Sequence, residues 1–128
     1  MAGINFRTTT KYAAITGNSA STSSNPNNAT LIFTCPNNYE AEIVFLRIAN
    51  NQTTAETIGI QVYVSEDTAY NDVVKTEQIS ASSSKQFIDA GPLFLHEGDK
   101  LLIYRNDSTK TFNAVVSARL YYTPARRT

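Results

Sequence analysis

The chain has 128 residues, the usual size of one domain, and is long enough to bury about two thirds of its unfolded surface around a single core. Its 11 basic and 11 acidic side chains give a net charge of zero, so no overall field would steer it to nucleic acid or to an anionic membrane. A single cysteine excludes an internal disulfide bond and a cysteine-based zinc cluster.

The N-terminal segment differs in composition from the rest of the chain. The opening MAGINFRTTTKYAAITGN lacks the continuous apolar stretch of a signal peptide, so we expect the protein to fold where it is made. The following tract GNSASTSSNPNN, residues 17–28, is polar and of low complexity, and such a tract buries too little apolar surface to order itself. We therefore predict an N-terminal arm that lies along a neighbouring subunit or the particle surface. Its predicted interface residues are Ile4, Phe6, Tyr12 and Ile15.

Beyond residue 28, the main pattern is an alternation with period two, which is typical of half-buried strands. Strands are predicted at residues 29–35, 42–49, 57–64, 100–104 and 114–122, with shorter ones near 74–80, 85–88 and 92–95. The clearest example is TIGIQVYV, residues 57–64, in which isoleucine and valine occupy every second position. The run KLLIY, residues 100–104, is apolar on both faces, so its second face needs a cover.

The strand EIVFLRIA, residues 42–49, is also apolar on both faces. Val44, Leu46 and Ile48 belong to one row, and Ile43 and Phe45 point the opposite way. Because a sandwich strand needs only one buried face, we expect the face with Ile43, Phe45 and Arg47 to lie in a contact with another subunit or with the N-terminal segment.

Clusters of Asn, Asp, Gly, Pro and Ser separate the predicted strands at regular intervals. Short alternating strands with such turns indicate an all-β fold, an antiparallel β-sandwich or jelly roll with an extended N-terminal arm. The segment AYNDVVKTEQ, residues 69–78, could form one helical turn at best. We divide the chain into an arm and polar linker (residues 1–28), a β-sandwich domain (29–123) and a basic C-terminal tail (124–128).

The stretch LHEGDKLLIY, residues 95–104, contains His96, Glu97 and Asp99, residue types that ligate metals and transfer protons. Gly98 and Asp99 between two apolar runs also fit a tight turn, with glycine at positive φ and the carboxylate capping backbone amides. Ligation or catalysis would need further groups from elsewhere in the chain, and the turn is the interpretation that we favour.

Glu66 and Asp67 are paired carboxylates that could serve glycoside hydrolysis, but they lie in a turn cluster, where solvated acids are ordinary. The sequence offers no other catalytic or cofactor-binding motif. It lacks a G-x-S-x-G elbow, a Walker loop and a Gly-rich dinucleotide fingerprint. Cys35 ends an apolar strand before Pro36, where a cysteine is more often a small buried apolar residue than a nucleophile. We therefore assign no catalytic, cofactor-binding or metal-binding residue and expect no cofactor.

The aromatic composition is uneven, with seven tyrosines and no tryptophan. Tyr63 and Tyr121 occupy the polar faces of their strands. There they could contact another protein, stack on a sugar, or pack across strands on an exposed sheet.

The segments FRTTTKY, LIFTCP, IANN, IGIQVYV, GPLFLHEGDKLLIY and AVVSARLYY together resemble a group of small β-sandwich virion proteins of tailed bacteriophages. The resemblance extends from Tyr12 to Tyr122, and the polar tract at residues 17–28 departs from it. It implies a non-enzymatic structural protein made in the host cytoplasm and located in the virion, with capsid decoration or cement as the main expectation.

The resemblance also implies the partners. We expect self-association, as a homotrimer, and contact with other virion proteins such as the major capsid protein, without nucleic acid or membrane. The alternatives are a component of the neck, tail or tail fibre, and a receptor-binding or carbohydrate-binding module.

Overall fold

The computed structural model describes residues 6–88, 93–106 and 112–123. Within these ranges the chain forms nine β-strands. They are β1 (Phe6–Ile15), β2 (Thr30–Thr34), β3 (Tyr39–Asn50), β4 (Glu56–Val64), β5 (Ala69–Ile79), β6 (Ser83–Gln86), β7 (Leu93–Leu95), β8 (Lys100–Arg105) and β9 (Phe112–Tyr122).

The strands form two antiparallel sheets that pack face to face. In the five-stranded sheet the order is β1-β9-β3-β6, with β7 also paired to β3, and in the four-stranded sheet it is β2-β8-β4-β5. The predicted all-β antiparallel sandwich is confirmed. No helix in the described part of the chain is long and apolar enough to cross a membrane.

The core lies between the sheets and follows the alternation of the central strands. On β4 the inward row contains Ile58, Ile60 and Val62, each at most 7% exposed. On β9 every second residue from Phe112 to Leu120 is buried. Because side chains alternate between the faces of a strand, the period-two pattern of the sequence directly gives these two core rows.

Strand β3 departs from simple alternation at Val44. The pairing of β3 with β9 shifts register between Ile43 and Phe45, as at a β-bulge. An extra residue reverses which face the following positions occupy, so Ile43 lies in the core with Leu46 and Ile48. The prediction that Ile43 shares an outer face with Phe45 and Arg47 is therefore wrong for Ile43, which is fully buried.

The segment predicted as an arm is packed on the sandwich itself. Strand β1 pairs with β9 through ten consecutive positions, from Phe6 opposite Tyr121 to Ile15 opposite Phe112. Ile15 is fully buried in the main core. The division at residue 28 is thus corrected for the described residues, in which 6–28 belong to the domain. Ile4 and the tail 124–128 lie outside the described residues.

The polar tract after β1 covers the outer face of the four-stranded sheet. The buried Gln61 side chain accepts a hydrogen bond from the Ser21 amide (2.8 Å) and donates one to the Ser21 carbonyl (3.1 Å). Ala29 packs there with Leu102 and Tyr104 in a second apolar cluster. Because the core covers one face of β8 and this tract covers the other, both faces of the strand are apolar. The tract is ordered by hydrogen bonds rather than by apolar burial, which is why its composition suggested an arm.

Strand β5 is longer than predicted. It begins at Ala69, whereas the sequence predicted a short strand near residues 74–80 and at most one helical turn at 69–78, and it pairs with β4 as an edge strand. Two register shifts interrupt this pairing. Bulges of this kind blur the alternation of side chains, so the sequence pattern is weak there.

Candidate assembly surface

The outer face of the five-stranded sheet brings together four of the predicted interface residues. The register aligns Tyr12 of β1 with Val115 of β9, and Val115 with Arg47 of β3. Ser117 of β9 lies between Thr10 and Phe45 in the next outward row. Tyr12 of the predicted arm, and Phe45, Arg47 and Tyr121 of the predicted sheet face, therefore share one surface, which we call the outer sheet face.

Aromatic side chains occupy both sides of the outer sheet face. Tyr12 on edge strand β1 is 79% exposed, and Phe94 on β7 is 57% exposed. Phe45 between them is half-buried. Aromatic residues and arginine are enriched in protein interfaces, since they provide large contact area. Phe94 was not among the predicted interface residues, although its place between inward Leu93 and Leu95 in a three-residue strand indicates an outward position.

A charge cluster lies next to Phe94 on the outer sheet face, because Glu42 pairs with both Phe94 and Arg119. The Glu42 carboxylate accepts a hydrogen bond from the Tyr121 hydroxyl (2.9 Å) and one from Arg119 Nη1 (3.4 Å). The Tyr121 oxygen and the Glu42 carboxylate raise the pKa of Arg119 above its ordinary value. These contacts fix the directions of three polar groups, so the surface presents a defined pattern of donors and acceptors.

Arg47 is held by its neighbours on the same face. Its guanidinium lies 5.9 Å from the centre of the Phe45 ring, and Nη1 donates a 2.7 Å hydrogen bond to the Ser84 hydroxyl. A cation over an aromatic ring is attracted by the ring quadrupole. Arg47 is thereby oriented along the sheet, which reduces the rotamer entropy that a partner's binding would remove.

Three of the described predicted interface residues lie elsewhere. Ile15 and Ile43 are in the core, as described above. Tyr63 is on the outer face of the four-stranded sheet, where its ring packs 4.7 Å from the Tyr70 ring and 5.2 Å from Lys100 Nζ. Alternation along β4 shows that Tyr63 points outward, but the sequence alone does not show which sheet contains β4. Tyr63 and Tyr121 are therefore on different surfaces.

The histidine-containing stretch forms the predicted tight turn, which is confirmed. Gly98 has φ of 84°, in the region that favours glycine. The Asp99 carboxylate accepts 2.9 Å hydrogen bonds from the backbone amides of Ser65 and His96. Glu97 accepts a hydrogen bond from the Asn38 amide (2.8 Å).

The acidic side chains of this turn are thus engaged by backbone amides. His96 Nδ1 lies 3.1 Å from a carboxylate oxygen of Glu40, and the His96 side chain is about half exposed. Among the described residues, no group of three or more His, Cys, Asp or Glu side chains is arranged to hold a metal ion.

Cys35 lies beneath this turn. It is 1% exposed, its amide donates to the Asp99 carbonyl, and its carbonyl accepts from the Gly98 amide. Burial, followed by the negative charges of Asp99, Glu40 and Glu97, raises the pKa of the thiol from 9.0 to about 12. Since the thiolate is the reactive form, a neutral buried thiol is chemically inert. The predicted buried apolar role of Cys35 is confirmed.

Comparison with protein families and with curated proteins finds no match. Among solved structures, the chain is similar to a subunit of the Bacillus endospore appendages, described as disulfide-linked pili. The TM-score is 0.56 and the identity 14%, over 95% of this chain and 92% of that chain. At this identity the similarity concerns the fold.

Proposed function

We propose that this protein is a non-enzymatic structural subunit of a virus particle, a capsid decoration or cement protein that acts through protein-protein contacts. The observation that supports it best is the outer sheet face, which presents Tyr12, Phe45 and Phe94 together with the cluster of Glu42, Arg119 and Tyr121. Rigid strands present these groups in fixed positions, as recognition by surface complementarity requires.

The proposed partners are other copies of this chain, as a homotrimer, and other virion proteins such as the major capsid protein. Phe45 and the Arg47 guanidinium would lie near the centre of the contact, and the more exposed Tyr12 and Phe94 toward its rim. Large aromatic side chains and arginine account for most of the binding energy in many interfaces. Glu42 is paired with Arg119 within the same chain, so burying this pair would leave no isolated charge.

A second candidate is a subunit of a pilus-like surface appendage. The similarity in fold to the Bacillus endospore appendage subunit favours it. That relative is described as disulfide-linked, whereas the one cysteine of this sequence is buried with a thiol pKa of about 12. An appendage built from this chain would therefore cohere through non-covalent contacts. A neck, tail or fibre component, or a receptor-binding or carbohydrate-binding module, is the remaining alternative.

The proposal is tested by finding out whether the protein is part of the virus particle, and where in the particle it lies. Virus particles are purified from cells that produce the protein, its presence is measured by mass spectrometry, and cryo-electron microscopy shows its position and symmetry. A virion protein remains with the particles at a fixed stoichiometry, with density on the capsid. Absence from particles, together with antibody labelling of cell-surface fibres, would contradict it and favour the appendage.

A matched pair of variants tests the surface. Phe45→Asp introduces a charge on the outer sheet face, and we expect it to reduce binding to particles that lack the protein by at least about tenfold. Val73→Asp is the control, because Val73 is 50% exposed on edge strand β5 of the opposite sheet. Melting temperatures of both variants show whether the fold is intact. Equal binding by Phe45→Asp and the wild type would refute the assignment of this face.

A further inference from the structure

Two adjoining depressions lie on the other side of the molecule, where β4 turns into β5. The larger one, of about 310 Å³, is lined by Ser23, Pro26, Tyr63, Thr68 and Tyr70. The smaller one, of about 160 Å³, also contacts Pro26 and Tyr70 and extends to Lys100. We call the two together the Tyr70 groove. The larger depression is at the lower end of the range of small-ligand sites.

The groove is shaped by the polar tract, which covers the four-stranded sheet only in part. Hydrogen bonds of Ser21 to Gln61 and to the Pro26 carbonyl (2.8 Å) hold the tract as a loop against β4. Pro26 in this loop and Thr68 at the end of the β4–β5 hairpin line the same depression. The walls are thus two segments that are distant in sequence and fixed by buried hydrogen bonds.

Tyr70 is the aromatic residue that both depressions share. Tyr63, its neighbour across the two strands, is packed at 4.7 Å against Tyr70 and lies 5.2 Å from Lys100 Nζ. The Tyr63 ring therefore supports Tyr70 from within the chain. A supported ring loses little side-chain entropy when a ligand stacks on it.

Polar groups line the groove beside this ring. The Ser23 and Thr68 side chains line the larger depression, and Asn27 and Lys100 the smaller one. The Thr68 hydroxyl donates to the Asp67 carbonyl, so its oxygen can still accept a hydrogen bond. One aromatic platform surrounded by hydroxyl and amide groups matches a ligand with an apolar C–H face and hydroxyl groups at its edges.

We propose that the Tyr70 groove binds a saccharide, with a sugar ring stacked on Tyr70 and its hydroxyl groups bonded to Ser23, Asn27 and Thr68. This activity goes beyond the proposed assembly role and uses the opposite sheet. A nucleic acid strand is less suited to the groove, because Lys100 is the only cation among the lining residues described and Glu66 and Asp67 follow at the hairpin end. A single lysine is compatible with neutral sugars or with one carrying a carboxylate.

The test uses the full chain and three probes: chitotriose, maltotriose and a hyaluronan tetrasaccharide, each added up to about 10 mM in an NMR titration. We expect saturable shifts of backbone amides at residues 22–25, 27, 68–70 and 100 with at least one probe. Tyr70→Ala should weaken that binding by at least about tenfold, because the stacking platform is lost. Tyr12→Ala is the control, since Tyr12 is exposed on the opposite sheet and its removal should leave binding unchanged.

A second variant covers the case in which Tyr70→Ala unfolds the protein. Ser23→Leu fills the larger depression from an exposed position without removing a buried contact, and it should abolish the shifts while the melting temperature stays that of the wild type. The proposal is overturned if none of the three probes shifts these amides, or if the shifts persist in Ser23→Leu. Shifts that depend on protein concentration rather than on sugar would also overturn it, because they would identify the groove as a contact between copies.

Discussion

The ring of Tyr104 lies over the backbone of Gly59, its cross-strand partner on the outer face of the four-stranded sheet. A Cβ atom at position 59 would lie 2.2 Å from Cζ of Tyr104, so only glycine fits beneath the ring. The Tyr104 hydroxyl donates to the Lys75 carbonyl on β5 (3.0 Å). The pair therefore connects β8, β4 and β5 through a single side chain.

We expect Gly59→Ala to lower the free energy of unfolding by about 1–3 kcal/mol, because the methyl group displaces the Tyr104 ring and its hydrogen bond. Urea unfolding measures the change. In a Tyr104→Ala background the same substitution should cost much less, since the obstructing ring is gone. If the two substitutions had additive effects on the free energy of unfolding, contact with the Tyr104 ring would not be the reason that position 59 requires glycine.

The tight turn before β8 predicts that substitution of Gly98 destabilises the fold more than substitution of His96 does. Gly98→Val places a β-branched residue at positive φ with its Cβ 2.9 Å from the Ser65 hydroxyl oxygen, and should destabilise the fold by about 1–3 kcal/mol. His96→Ala removes a half-exposed contact with Glu40 and should change stability by less than about 1 kcal/mol. Both are measured by thermal and urea unfolding. Stoichiometric zinc that is lost with His96 would contradict the structural interpretation.

The packing of β1 predicts that the N-terminal segment is needed for folding. A chain that begins at Asn28 lacks β1 and the buried Ile15 side chain, whose burial alone is worth about 1.5–3 kcal/mol. Its melting temperature should fall by more than about 10 °C. Ile15→Ala should reproduce part of this loss, whereas Ala14→Ser, at an exposed neighbouring position, should not. Equal melting temperatures of the shortened and full chains would instead support an N-terminal arm that is independent of the domain.

The buried thiol of Cys35 predicts a loss of stability at alkaline pH. Its pKa is raised from 9.0 to about 12 in the folded protein, so below pH 9 both folded and unfolded chains keep the proton and the contribution to stability is fully present. Between these values the unfolded chain releases its proton first, and stability falls by up to about 1.4 kcal/mol per pH unit. Cys35→Ala should therefore lose less stability than the wild type when urea unfolding is compared at about pH 8 and about pH 10.5. An equal loss of stability between these two pH values in the wild type and in Cys35→Ala would refute this role of Cys35.

The sequence by itself determined the parts of the fold that depend on local alternation. The rows of β4 and β9, the buried Cys35 and the turn at Gly98 and Asp99 all follow from which neighbours are apolar and which residue tolerates positive φ. The outward positions of Phe45 and Arg47 on β3 were also predicted, because they lie within one uninterrupted stretch of that strand.

The tertiary structure decided what depends on partners distant in sequence. A bulge at Val44 set the face of Ile43, and pairing with β9 made a strand of residues 6–15. Gln61, forty positions away, ordered the tract around Ser21 and so covered Leu102 and Tyr104. Composition measures how much apolar surface a segment can bury, but it does not show which distant backbone groups will accept and donate its hydrogen bonds.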